Sequence, residues 1–351
     1  MIPVLDQKMP AEDLELLVVI VCYKAVDLTI ACLESLSSQI SVVPRTKVAI
    51  CENGTGVDAV EALEHAIVRN GWTDWTRLKA IHPNRGFSGG NNAILRDVLG
   101  WPRPPQYIML VNADTIVKPG ALAHLHAAIE ADPKLGIVGP RLVGEHGEGQ
   151  VSCFRGPSAL SEFLRAAQTG PIHRLFGRSN FELAPAPSIT NFDWVSFACA
   201  IIRSDVLCDV GLLDEGFYLY FDDADYCRRA RRAGWSIGNC ENAVVVHLVG
   251  RSNSVPSDAK ARRRRPRYFY ASRSRYFAKH FGRGGLWLAN LGWTVGRWIS
   301  LFRELIGHKK RHICAGEWRD IWTNFVDPIA SSEPEPSERR TGSTSVQGRV
   351  A

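Results

Sequence analysis

Three aspartates, Asp222, Asp223 and Asp225, follow directly after an aromatic run at residues 217–221. Carboxylates this close repel one another, so a cation, a proton or hydrogen-bond donors must compensate them. One interpretation is a helix start, with Asp222 as the N-cap, the other two acids in the first turn and arginines from Arg228 onward. The other is a site that binds a cation or transfers a proton, because an apolar segment directly before the acids suggests that they enter a pocket. One segment can do both.

Four more polar residues stand where apolar, strand-like runs end. In open α/β sheets, ligands bind beyond the carboxyl ends of the strands. A carboxylate there can hold a divalent cation, a neutral imidazole can complete the site, and an acid or amide can contact a ribose or base. Turn closure and an isolated structural histidine remain the alternatives. The residues are Glu52, Asn53, Asp114 and His247.

A segment rich in glycine and asparagine, residues 84–92, lies between a predicted strand and a predicted helix. Glycines allow backbone N–H groups to approach a diphosphate or a sugar closely, and asparagine side chains can bind hydroxyl groups. The segment matches neither the dinucleotide-binding nor the phosphate-binding loop pattern, and a flexible turn with a helix cap is the alternative. The candidate ligand-binding residues are Asn84, Gly86, Gly89, Asn91 and Asn92.

The elements that must position these residues alternate between strand-like and helical patterns. Such alternation predicts an α/β fold with a parallel, doubly wound sheet. Strand-like runs occupy residues 16–22, 48–51, 78–81 and 107–111, and helical spacing covers 30–36, 57–68 and 91–99.

The second half of the chain is less regular. We expect a helix after Pro119, a short strand at 137–138, loops over the sheet from 144 to 189, and strands within 193–202 and 243–247. A basic helix reaching Phe281 and an amphipathic helix at about 286–306 then follow. The predicted domains are a leader at 1–15, a catalytic domain at 16–255, a basic and amphipathic membrane-associating region at 256–330, and a disordered tail at 331–351.

Composition restricts the location and the partners. The 351 residues suffice for a large core, and the nine cysteines are odd in number and contain no CxxC pair, which disfavours a disulfide framework and a zinc ribbon. A reducing cytosol fits this pattern, and the N-terminal residues lack the features of a signal peptide. The net charge of +6 concentrates late, in the arginine-rich run at residues 262–267, so we expect anionic partners there.

The helix predicted at 286–306 carries polar residues about once per turn and a wide apolar face. This pattern is typical of a helix lying in a membrane interface, and packing against the catalytic domain is the alternative. The arginine run favours anionic lipid, so we predict peripheral attachment to the inner face of the plasma membrane from a cytoplasmic location. The apolar face comprises Trp287, Leu291, Trp298, Phe302 and Leu305.

The order of these signals resembles that of the inverting family 2 glycosyltransferases with the GT-A fold, especially bacterial rhamnosyltransferase-like members. The resemblance spans about residues 16–276. It is carried by residues 19–24, 51–54, 84–92, 110–114, 193–196, 213–229 and 246–247.

The resemblance implies roles for individual residues. Glu52 stands where the family usually has an aspartate that contacts the nucleoside, and Asp114 corresponds to the metal-binding acid. Asp223 aligns with the acid that acts as the catalytic base, and His247 would be a metal ligand or a diphosphate neighbour. Trp194 and Asp222 are assigned to substrate binding.

The predicted function is therefore sugar transfer. The donor would be a nucleoside diphosphate-sugar, with rhamnose as a candidate sugar, and the acceptor a hydroxyl of a glycan or lipid-linked molecule in cell-envelope polysaccharide assembly. The cofactor would be Mg²⁺ or Mn²⁺.

Two other functions are alternatives. One is a metal-dependent sugar nucleotidyltransferase, which would be expected to carry a glycine-rich basic loop after the first strand, and the other is a non-enzymatic binder of anionic polymers. The latter leaves the acidic residues without a role, and no nucleic-acid partner is predicted.

Overall fold

A computed structural model describes residues 13–169, 192–250, 259–307 and 310–330. The strands are β1 (Leu16–Cys22), β2 (Thr46–Asn53), β3 (Thr76–Ile81), β4 (Tyr107–Asn112), β5 (Thr115–Val117), β6 (Leu135–Val143), β7 (Cys153–Phe154), β8 (Trp194–Val195), β9 (Cys199–Arg203) and β10 (Ser236–His247). The helices are α1 (Val26–Ser37), α2 (Val57–Arg69), α3 (Gly86–Leu99), α4 (Ala121–Glu130), α5 (Ala159–Ala167), α6 (Ser204–Val210), α7 (Asp222–Arg232), α8 (Arg267–Leu305) and α9 (Glu317–Asp320).

One eight-stranded sheet organises the molecule, with the strand order β3-β2-β1-β4-β9-β6-β10-β5. The first four of these strands run parallel, as does the β6–β10 pair. Strand β9 is antiparallel to both of its neighbours, and β5 is antiparallel to β10. The predicted α/β class with a mostly parallel central sheet is confirmed, and β5 and β9 depart from a fully parallel arrangement.

Two hydrophobic layers cover the two faces of the sheet. Strand β1 shows the division, because Leu16, Val18 and Ile20 face one layer whereas Leu17 and Val19 face the other. Side chains of α1, α2 and α4 fill the first layer, and side chains of α3, α7 and α8 contribute to the second. Burial on both faces explains why β1 is a continuous apolar run rather than an alternating one.

The predicted loop region at 144–189 is wrong in part, because it contains β7 and α5. Helix α5 packs closely on α8 through glycine: a Cβ at Gly292 would lie 2.6 Å from the Ala159 carbonyl oxygen, and one at Gly296 would lie 2.4 Å from that of Phe163. Buried charges join the two helices, since Arg273 donates to Glu162 at 2.9 Å. These partners lie 111 residues apart in the chain, so local sequence gives no signal for them. Residues 170–191 of the predicted loop lie outside the described part.

Helix α8 contains both predicted C-terminal helices, separated by non-helical backbone at Gly282. In its second half, the face that contains Ala289 and Trp293 is buried, and the opposite face is exposed. The predicted apolar strip is on the exposed face: Trp298, Phe302 and Leu305 are 68%, 64% and 77% exposed. Packing of this strip against the catalytic domain is therefore wrong for the described residues.

No helix in the described ranges combines the length and apolar character needed to cross a membrane. Most of the predicted leader, at residues 1–12, and the predicted tail lie outside the described residues. Those two predictions, together with the domain boundaries, stay predictions.

Candidate active site

Asp114 and His247 meet at the end of the central sheet. Strands β5 and β10 pair with His247 opposite Thr115, and the Leu248 amide donates to the Asp114 carbonyl at 2.9 Å. This register places Nε2 of His247 3.6 Å from Oδ1 of Asp114, beyond ordinary hydrogen-bond distance. Burial lowers the pKa of His247, although the charge of Asp114 opposes the shift, so the imidazole is neutral near pH 7.

Two left-handed residues deliver the acidic helix to the same region. Tyr220 and Phe221 have φ angles of 70° and 65°, and α7 begins immediately after them. Phe221 occupies the N-cap position, so the prediction of Asp222 as N-cap is wrong and Asp222 is the first helical residue. The chain turns sharply here because non-glycine residues reach this conformation only where surrounding packing imposes it.

The hydroxyl group of Tyr220 links the two groups of acids. Burial raises its pKa, and the charges of both Asp222 and Asp114 raise it further, whereas the charge of Arg265 lowers it. Tyr220 thus experiences the charge of an acid at the end of β4 and that of an acid at the start of α7. Tyr220 and Arg265 were not predicted as site residues: Arg265 was assigned to lipid with its neighbours, and Tyr220 was treated as part of an apolar run.

The first two acids of α7 are poorly solvated. Burial, and then the charge of Asp223, raise the pKa of Asp222 well above its usual range. Burial raises the pKa of Asp223 to about 7, against hydrogen bonds from the backbone of Ala224 and of Phe197. Asp223 thus titrates near neutral pH, where a carboxylate is most effective as a general base.

Asp225 differs from its two neighbours because cations surround it. Burial raises its pKa, but His280, Arg229 and Lys279 more than offset this effect, and the net shift is downward. Its carboxylate contacts Arg229 Nε at 2.9 Å, Lys279 Nζ at 2.7 Å and His280 Nε2 at 2.8 Å. These contacts fix α7 against α8, which makes Asp225 a structural residue.

Glu52 and Asn53, the residues predicted to contact the nucleoside, are the last two residues of β2. The Glu52 carboxylate accepts hydrogen bonds from the backbone amides of Gly54 at 3.3 Å and Thr55 at 2.6 Å. Asn53 donates to the Gly86 carbonyl at 2.8 Å and accepts from the Arg85 amide at 3.0 Å. The two side chains therefore shape the turns that surround the strand end.

The segment at 84–92 is mostly helical, because α3 begins at Gly86. Asn84 accepts from the Gly86 amide at 2.8 Å, and a Cβ at Gly86, where φ is +70°, would lie 2.0 Å from the Tyr218 carbonyl oxygen. The Phe87 amide donates to that same carbonyl at 2.8 Å. Gly86 is needed so that the aromatic run before α7 can approach this closely.

The remaining residues of that segment lie inside α3. A Cβ at Gly89 would lie 2.4 Å from the Arg85 Cβ. Asn91 donates to the Phe87 carbonyl at 2.9 Å, and Asn92 donates to the Leu213 carbonyl at 2.8 Å and accepts from its amide at 3.1 Å. Asn92 thus fixes the chain just before the acidic segment, and a ligand role for these residues stays a prediction.

Trp194 lies on β8, three residues before Phe197. Its ring stacks on Phe154 with centroids 4.1 Å apart, and its Nε1 donates to the Arg155 carbonyl at 3.0 Å. The backbone of Phe197, which follows β8, forms a hydrogen bond to the Asp223 carboxylate that lowers the pKa of that group. Trp194 is therefore on the strand that leads to the candidate base.

The donor set at Asp114 and His247 fits a divalent cation. Ligand atoms about 2.1 Å from an octahedral cation lie about 3 Å apart, close to the observed 3.6 Å separation of the two side-chain atoms. A buried carboxylate and a neutral imidazole are both suitable ligands, and a diphosphate can supply further oxygens.

Comparison with known proteins gives the family. The sequence profile of "Glycosyltransferase like family 2" matches residues 13–271. The chain belongs to this family. The match contains every candidate site residue named above, and it confirms the predicted enzyme class.

Characterised relatives of this glycosyltransferase are distant. It is 25% identical over 260 residues to an N-acetylglucosaminyl-diphospho-decaprenol L-rhamnosyltransferase of Mycobacterium tuberculosis, covering 68% of this chain and 81% of the relative. It is 26% identical over 164 residues to the low-salt glycan biosynthesis hexosyltransferase Agl10 of Haloferax volcanii, covering 47% and 49% of the two chains.

A solved structure agrees with the predicted GT-A fold. The mannosyltransferase PcManGT from Pyrobaculum calidifontis, in complex with GDP-Man and Mn²⁺, superposes with a TM-score of 0.50 at 13% identity, covering 94% of this chain and 89% of that one. At this identity the likeness concerns the fold alone. The match to the family profile, which covers residues 13–271, excludes the two alternative function classes.

Proposed function

We propose that the protein transfers a sugar with inversion, and that Asp223 is the catalytic base. Asp223 removes the proton from an acceptor hydroxyl, whose oxygen forms a bond to the anomeric carbon. The bond from that carbon to the donor phosphate oxygen breaks, and the electron pair leaves with the nucleoside diphosphate. The observation that carries this proposal is the pKa of Asp223, raised to about 7 by burial at the start of a helix.

We propose Asp114 and His247 as the residues that hold Mg²⁺ or Mn²⁺. A divalent cation bound there supplies positive charge for the leaving diphosphate. The pair stands at the carboxyl end of the sheet, on the side of Tyr220 and Asp222, so the donor diphosphate would lie there. Glu52 and Asn53, at the end of β2, would then be next to the nucleoside.

The names of the relatives guide the choice of substrates. One relative is named for transfer of rhamnose to a lipid-linked diphosphate sugar, and another for hexose transfer in glycan biosynthesis. We propose a nucleoside diphosphate-sugar donor and a glycan or lipid-linked acceptor in cell-envelope polysaccharide assembly, with rhamnose as the first sugar to test.

A donor screen tests this function. The full chain is incubated with nucleoside diphosphate-sugars that vary in base and sugar, together with an N-acetylglucosaminyl-diphospho-lipid acceptor of the kind that one relative is named for. Release of the nucleoside diphosphate is followed with Mn²⁺, with Mg²⁺ and with EDTA. We expect release from a single donor class, only with a divalent cation. Absence of release from every donor in the presence of either cation contradicts the proposal.

We also propose that the protein attaches peripherally to the inner face of the plasma membrane. The exposed strip on α8, formed by Trp287, Leu291, Trp298, Phe302 and Leu305, has spacings of three, four and seven residues, which place its members along one helix face. Aromatic rings on such a face suit the boundary between headgroups and acyl chains. Arg262 and Arg263 are exposed just before this helix and add attraction to anionic lipid.

Two substitutions on the exposed strip, Trp298→Glu and Phe302→Glu, are expected to weaken binding to vesicles that contain anionic lipid. Each removes an exposed ring and adds a charge that anionic headgroups repel, so we expect at least about a tenfold loss of vesicle binding in co-sedimentation. The matched control is Val68→Glu, an exposed apolar residue on α2, far from the strip in sequence. Equal binding of all three variants and the unchanged protein contradicts the attachment.

A further inference from the structure

A second concave site lies beside the candidate base and takes no part in the roles assigned above. It is a cavity of about 410 Å³ between α7, β8, the first half of α8 and the chain just before α5. Ala224, the residue after Asp223, lines it, as does Trp194. Asp114, His247 and Tyr220 do not line it. The cavity is thus lined by the residue that follows the candidate base and by none of the residues proposed to hold the cation.

The cavity is strongly cationic. Arg228, Arg231 and Arg232 line it together with Ala224, because residues four, seven and eight positions apart share one face of a helix. One acid, Asp193, also lines the cavity, and it pairs with Arg231. Within the described ranges, neither Arg228 nor Arg232 forms an ion pair with a carboxylate.

Uncharged groups hold the guanidinium groups of Arg228 and Arg232 in place. Arg228 lies over the ring of Phe281 at 4.3 Å and its NH1 contacts the Tyr276 hydroxyl at 3.4 Å. Arg232 NH1 lies 3.4 Å from Nδ1 of His280, whose Nε2 contacts Asp225. Burial lowers the pKa of His280, and a neutral imidazole with its proton on Nε2 can accept from Arg232 at Nδ1. The two cations are positioned without being neutralised.

We propose that this cavity binds a phosphate-bearing group of the acceptor. The proposal rests on the function above, because the acceptor is the substrate that must approach Asp223 from outside the donor site. Two positioned guanidinium groups without carboxylate partners suit an anion with more than one charge, and arginine binds phosphate oxygens through paired N–H groups. The volume is within the range of small-molecule sites.

The position of the cavity favours a lipid-linked phosphate over a free one. Phe281 lines the cavity and is 41% exposed, and the helix break at Gly282 follows it directly. The exposed strip begins at Trp287, five residues after this break. An acceptor whose tail lies in the membrane at the strip can thus place its phosphate in the cavity and its sugar near Asp223.

Binding of short probes tests the proposal without turnover. The full chain is titrated calorimetrically in EDTA with farnesyl diphosphate, with inorganic pyrophosphate and with farnesol. EDTA removes the cation on which diphosphate binding at Asp114 depends. We expect Arg228→Gln and Arg232→Gln each to weaken binding of farnesyl diphosphate by about tenfold, the effect of one lost charge-assisted hydrogen bond. Arg69→Gln, which removes an exposed arginine at the end of α2, is expected to leave binding within about twofold of the unchanged protein.

The three probes separate the sources of the phosphate. Binding of farnesyl diphosphate that exceeds the binding of pyrophosphate and of farnesol supports a lipid-linked group, and equal binding of the two diphosphates supports the phosphate alone. Farnesyl diphosphate binding that is unchanged in both cavity variants overturns the proposal. Because Arg228 also packs on Phe281, its variant is checked by circular dichroism, and the exposed Arg232 keeps the test valid if that variant misfolds. Failure of the donor screen would remove the proposed function while these titrations still report on the cavity.

Discussion

Asp223→Asn is expected to lower kcat by about 100- to 10,000-fold while the protein folds normally. Asparagine keeps the size of the side chain and its place at the start of α7, but it cannot accept a proton from the acceptor. The assay is turnover with the donor found in the screen, accompanied by thermal unfolding. A variant that keeps near-normal turnover would show that another group is the base.

Asp58→Asn is the matched control. Asp58 is the second residue of α2, as Asp223 is of α7, and it is exposed. If Asp223 serves only to stabilise the N-terminus of α7, the free energy of unfolding of each variant should fall by less than about 1 kcal/mol. Neither variant should then lose activity. Only a catalytic role predicts a large difference in turnover between them.

The pH dependence of kcat/KM provides a second measurement of the same role. A base must be deprotonated, so with the pKa of Asp223 raised to about 7 activity should rise as the pH increases through about 7. An ordinary aspartate would give this rise near pH 4. Asp222 and Asp223 interact, so the observed value belongs to the pair. A flat profile between pH 5 and 8 contradicts the assignment.

Asp114→Asn is expected to reduce cation binding and turnover by more than about 100-fold. The substitution removes the negative charge that would hold a divalent cation at the end of the sheet, where loss of an outer-shell partner alone costs about 10- to 100-fold. Direct titration with Mn²⁺, followed by electron paramagnetic resonance, measures binding independently of turnover. Unchanged Mn²⁺ binding would place the cation elsewhere.

His247→Gln separates metal binding from structural damage at the same place. Glutamine retains a polar side chain but is a weaker ligand than a neutral imidazole. We expect weaker Mn²⁺ binding than in the unchanged protein, with turnover partly restored at high Mn²⁺ concentration. Turnover that stays low at saturating Mn²⁺ would indicate that His247 acts in another way.

Several features were readable from sequence because they depend on local patterns. The apolar run of β1 was predicted with its observed bounds, and the polar residues at strand ends followed from the rule that parallel strands present their carboxyl ends together. The apolar face of α8 was also correct, since its periodicity is that of a helix. Even the meeting of Asp114 with His247 was anticipated, although the β5–β10 register that produces it was not.

Other features depend on partners that lie far apart in the chain. Helix α5 was missed because its buried Glu162 is compensated by Arg273 and Arg165, and such pairing leaves no periodic signal. The role of Gly86 depends on Tyr218, and that of Asn92 on Leu213. Asp225 was expected in the first turn of a helix, but its partners Lys279 and His280 on α8 could not be predicted from the sequence.

The sequence by itself determined the α/β fold, the family resemblance, the acids and the amphipathic helix, because each is encoded by residue types at short spacing. Only the tertiary structure decided which acids are solvated, which are paired and which are left to titrate near neutral pH. It also decided that the strip on α8 faces outward and that the arginines of α7 line a cavity. Burial and charge compensation are properties of packing between distant segments, and no local pattern specifies them.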